Sequence, residues 1–67
     1  MNQARLVDAI CALQRAETAL TEAKRARAAA YAAKASDIMR YESAVTRARL
    51  AAEQARAICE KARAETD

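Results

Sequence analysis

The chain has 67 residues, a net charge of +3, and no glycine, proline or histidine. So short a chain makes at most one domain and buries proportionally little surface, which leaves it marginal without a partner. Without histidine, and with Cys11 and Cys59 far apart, it lacks the ligand set of a structural zinc site.

Hydrophobic residues make up 54% of the chain, most of them alanine, with no Phe or Trp. The larger apolar side chains are Leu6, Val7, Ile10, Leu13, Leu20, Ile38, Met39, Val45, Leu50 and Ile58, beside Tyr31 and Tyr41. Each contributes about 1.5–3 kcal/mol if fully buried, so a core built from them is small. Charges recur every few positions, so no transmembrane segment is expected, and residues 1–8 lack the apolar run of a secretory signal. A cytoplasmic location is expected, with both cysteines as small, reduced, buried or half-buried thiols.

The first element is expected as a helix over residues 3–34. Ala9, Ala16, Ala23 and Ala30 share one heptad phase, and Leu6, Leu13 and Leu20 share another. Ala12, Ala19, Ala26 and Ala33 form a third line, so the pattern reads as a broad small-residue seam edged by leucine. A turn is expected at 35–36, where Ser36 or Asp37 can accept from the free amides that open a second helix. That helix is expected over 37–64, with Tyr41, Ala48, Ala55 and Ala62 on one phase and Ile38, Val45, Ala52 and Cys59 on another. Ala44, Ala51 and Ile58 lie beside them.

Reversal at the turn places residues whose numbers add to about 71 opposite one another, as short connections between antiparallel helices do. Ala9 then meets Ala62, Ala16 meets Ala55, Ala23 meets Ala48 and Ala30 meets Tyr41, while Leu13 faces Ile58 and Leu20 faces Ala51. The fold class is therefore all-α: an antiparallel two-helix hairpin, an alanine-rich coiled coil that dimerises into a four-helix bundle. The alternative is one continuous helix in a longer coiled coil, favoured by an unbroken heptad phase and by seven alanines among residues 26–35. Against it, a continuous stripe puts Arg27, Lys34 and Asp37 at successive core positions.

An alanine seam buries little area, so the larger side chains Leu6, Ile10, Leu13, Leu20, Val45 and Ile58 are the expected helix-packing or dimer interface. The patch suits a second copy of the chain or a helix-face contact with a larger protein. Leu50 is the best single candidate for an exposed contact. In shape only, such a hairpin resembles the dimerising two-helix hairpins of the Rop type, although none of that family's motif is matched.

Charge is uneven. Residues 24–40 carry Lys24, Arg25, Arg27, Lys34 and Arg40 against Asp37 alone, a balance of +4 within a net of +3. With Tyr31 and Tyr41 among them, this hairpin tip is a candidate contact for a partner or for nucleic acid, by phosphate pairing and base stacking. The bland reading has the two tyrosines pack together across the turn. Arg49, Arg56 and Arg63 form a line on the second helix, with Glu53, Glu60 and Asp67 four residues after each, so local ion pairs are expected there.

Catalysis needs a group tuned near neutrality inside a water-excluding pocket. The chain has no histidine, no glycine-rich phosphate loop and no converging acids, so neither an enzyme nor a cofactor or small-molecule substrate is expected. The leading expectation is a protein-binding regulator or inhibitor. Alternatives are a nucleic-acid-binding regulator that uses the basic tip, or a structural coiled-coil part of an assembly.

Overall fold

A computed structural model describes residues 2–66. Two helices, α1 (Asn2–Ala32) and α2 (Ile38–Thr66), lie antiparallel and together measure 50 × 13 × 11 Å. A continuous helix of this chain would reach about 100 Å at ~1.5 Å per residue, so the long dimension alone excludes it. The chain is an all-α two-helix hairpin.

The connection occupies residues 33–37, longer than the expected 35–36, because α1 ends in a Schellman motif. The Ala35 N–H donates to the Ala30 carbonyl at 3.0 Å, and the Lys34 N–H donates to the Tyr31 carbonyl at 3.1 Å. This pairing needs a left-handed residue between them, and Lys34 takes that place with φ 54°. Glycine is the usual occupant, since a Cβ in this conformation costs about 1–2 kcal/mol. In a chain without glycine, the turn carries that cost. The side-chain cap expected of Ser36 or Asp37 is not the one formed: the Asp37 carbonyl accepts the Arg40 N–H at 3.0 Å, and its carboxylate turns to the Arg40 guanidinium at 3.9 Å.

The seam follows the alternating three- and four-residue spacing of a coiled coil. Leu6, Ala9, Leu13, Ala16, Leu20, Ala23, Arg27 and Ala30 face inward from α1, and Ile38, Tyr41, Val45, Ala48, Ala52, Ala55, Cys59 and Ala62 from α2. Ala9, Cys59 and Ala62 form a buried cluster against which Leu6, Ile10 and Leu13 pack. The leucines stay half-buried, since one neighbouring helix cannot surround them.

Two expectations about the seam are corrected. The third line, Ala12, Ala19, Ala26 and Ala33, is exposed, because two helices share one narrow seam and only a third element could cover its flank. On α2 the inward phase is that of Val45, Ala52 and Cys59, while Ala51 and Ile58 are exposed. Leu13 therefore packs on the cluster of Cys59 rather than on Ile58. Cys11 is exposed, against the expectation of a buried or half-buried thiol, and Cys59 is buried, both free.

Candidate interaction surfaces

Residues that follow the seam and residues that precede it lie on opposite sides of the hairpin. On the following side stand Ile10, Glu17, Lys24 and Tyr31 of α1, and Glu42, Arg49, Arg56 and Arg63 of α2. The Arg56 Nη2 donates to Glu17 Oε2 at 3.4 Å across the helices. Thus Arg56 pairs with the other helix and not with Glu60 four residues on; Asp67, expected to pair with Arg63, lies outside the described residues.

Nearer the tip, Glu42 receives two donors: Arg27 Nη1 at 3.2 Å on one oxygen and the Tyr31 hydroxyl at 3.1 Å on the other. Arg27 sits at a seam position, where a charged head is tolerated because its apolar stem lies along the helices and the guanidinium reaches the edge. Accepting the Tyr31 proton stabilises the neutral phenol, so the Tyr31 pKa is raised, mainly by this hydrogen bond, with partial loss of water and the Glu42 charge adding and Arg27 opposing. Tyr31 remains 52% exposed with its hydroxyl on Glu42, and Tyr41 is half-buried.

Seven residues at the tip are candidate contacts for a partner or nucleic acid: Lys24, Arg25, Arg27, Tyr31, Lys34, Arg40 and Tyr41. Two of them, Arg27 and Tyr31, converge on Glu42; Arg40 lies 3.9 Å from Asp37, Lys34 forms the turn, and Lys24 and Arg25 project from the exposed surface of α1. Glu42 lies two residues beyond the basic run of 24–40 and lowers the charge of the tip. The antiparallel register was the available signal, since it sets Glu42 beside Arg27 and Tyr31.

The six apolar interface candidates do not form one flank. Leu6, Leu13, Leu20 and Val45 belong to the seam itself, with Val45 buried between the helices. Ile10 is half-buried on the following side. Ile58 is 61% exposed on the preceding side.

That preceding side is nearly uncharged along its middle: Ala12, Ala19, Ala26 and Ala33 from α1, and Ala44, Ala51 and Ile58 from α2. An Arg5–Glu65 pair, 3.8 Å apart, bridges the helices at its open end. A shallow groove there is lined by Arg5, Ile58, Lys61, Ala62 and Glu65. The outer surfaces expose Leu50 on α2, Val7 near the open end and Met39 at the tip. No helix among the described residues is long and apolar enough to cross a membrane.

The chain matches no known protein family, and no curated protein or solved structure is significantly similar to it.

Proposed function

We propose that the chain is a non-enzymatic regulator or inhibitor that works in the cytoplasm by laying a helix face against a larger protein. The observation that carries this reading is uncovered surface. The hairpin exposes 5253 Å², where a compact monomer of its 7.3 kDa mass exposes about 4,200 Å². Two helices make a single packed layer, so each keeps a long outer face, and on α2 that face carries Leu50 at 52% exposure. A helix face with an apolar anchor is a recurrent mode of protein recognition.

Nucleic-acid binding through the tip is the weaker reading, because Glu42 engages two of the seven groups it would use, Arg27 and Tyr31. Recovery of a tagged copy from its native cell, with and without nuclease, tests both. The expected result is a protein partner retained after nuclease and lost on Leu50→Arg with helicity unchanged. Recovery of nucleic acid alone, with binding that falls steeply with salt, would overturn it.

A further inference from the structure

We infer that the alanine side of the hairpin is the contact face for a second copy of this chain, with the two turns at the same end of the resulting four-helix bundle. This does not rest on the proposed regulation of a larger protein, since it concerns a different face.

The strip has a built shape. It runs from Ala12 to Ala33, about 30 Å at ~1.5 Å per residue, and small side chains along it allow helices to approach closely. Ile58 stands in it as the one large apolar side chain. The hairpin's excess of about 1,000 Å² over a compact monomer, shared between this strip and the outer faces, is of the order of the ~800 Å² that each partner buries in a standard interface.

Charges at the strip's edges select the occupant and its orientation. One helical turn before each alanine of α1 stand Asp8, Arg15 and Glu22, followed by Ala29; the same step on α2 gives Arg40, Arg47, Gln54 and Lys61. Lys61 lines the groove with Ile58, which places this edge beside the strip. Asp8, Glu22, Arg47 and Lys61 are exposed and make no ion pair within the described hairpin.

When two hairpins meet face to face about a two-fold axis along their length, α1 of each lies against α2 of the other. The hairpin's own register then brings Asp8 level with the second copy's Lys61, and Glu22 level with its Arg47, each contact occurring twice. With the turns at opposite ends, α1 lies against α1 and α2 against α2: Arg15 then nears the second copy's Glu22, but Asp8 and Arg47 lose their opposite charges and Lys61 comes beside the second copy's Arg40. The first arrangement makes two kinds of opposite-charge contact at the rim, each twice, against one kind in the second, where basic residues also meet, so the rim favours the first.

The test is the solution mass of the full chain by sedimentation equilibrium. At about 100 μM, a concentration at which even a modest standard-size interface is occupied, the expected mass is twice 7.3 kDa. Ala19→Glu, at an exposed position in the middle of the strip, is expected to give a monomer that keeps its helical circular dichroism. Glu22→Arg and Arg47→Glu are each expected to weaken the dimer about tenfold, and mixing the two single variants to restore it, because each heterodimer then holds only opposite charges at both rims. A fold defect within one chain could not be repaired in this way. A monomeric wild type, a dimer indifferent to Ala19→Glu, or the absence of rescue on mixing would each overturn the inference.

Discussion

On one side of the hairpin the residues next to the seam are Glu17, Lys24, Tyr31, Glu42, Arg49 and Arg56, and their cross-helix contacts are ion pairs and a phenol-carboxylate hydrogen bond. On the other they are alanine from Ala12 to Ala33, with the Arg5–Glu65 ion pair at the open end. Both sides flank the same seam with the same period, so periodicity alone does not tell them apart. Charge does: on one side Glu17, Arg56 and Glu42 are engaged across the hairpin, and on the other the line from Ala12 to Ala33 carries no charge to engage.

The largest break in this comparison comes from moving a charge by one residue. Ala52 is buried in the seam at 5% exposure, and Ala51 is exposed on the alanine side. Ala52→Asp is expected to cost about 3 kcal/mol or more through an unpaired buried carboxylate, enough to abolish helical circular dichroism in so small a domain. Ala51→Asp is expected to leave that signal largely intact. Equal loss in both would mean that the alanine side is covered, within the hairpin or by a second copy on which the fold depends.

Next in size is the turn that joins the two sides. Lys34→Gly removes the Cβ from a left-handed backbone position, with an expected gain of about 1 kcal/mol, seen as a rise in Tm of about 5 °C. A fall would mean that the lysine side chain contributes more to the turn than its φ of 54° costs.

Much of the fold was legible because it depends on spacing. Three- and four-residue steps place alanine opposite alanine, and although the heptad phase runs on unbroken, the cap candidates Ser36 and Asp37 and the charges that a continuous stripe would bury at Arg27, Lys34 and Asp37 mark the reversal. Two things were not legible. Which neighbour of a seam residue turns inward is decided by a small rotation of each helix, and that rotation separates Cys59 from Ile58. Nor does a run of consecutive residues show its cross-helix partners, so the tip looked more basic than it is: Glu42 is remote in sequence from Arg27 but adjacent in space. The alanine line Ala12, Ala19, Ala26 and Ala33 was visible throughout, and its exposure was not, since that depends on the number of helices present.

The charged side is sharpened by a titration. In a Tyr41→Phe background, Tyr31 is the sole phenol, and its ultraviolet absorbance change is expected above its ordinary pKa of 10.0. The sign follows from the bond: a neutral phenol donates to Glu42, so the interaction is whole below pH 10.0 and fades as pH rises through the higher folded value. Adding Glu42→Gln removes the carboxylate charge and weakens the acceptor, and the transition is expected to move back toward its ordinary position. An unmoved transition would mean that the Tyr31–Glu42 contact is not held in solution.

The smallest effect belongs to the best-defined exposed pair on that side. Glu17 and Arg56 approach to 3.4 Å, yet their side chains are 49% and 62% exposed, so water and salt screen the attraction, and ordering two long side chains offsets much of the rest. A double-mutant cycle of Glu17→Ala and Arg56→Ala is expected to give a coupling of about 0.2–0.5 kcal/mol that shrinks further in high salt. Coupling above about 1 kcal/mol would mean that the pair is less solvated than its exposure implies. A small value assigns the charged side a different role: its ion pairs add little to the fold, and they keep that side hydrated while the alanine side remains the apolar face open to another helix layer.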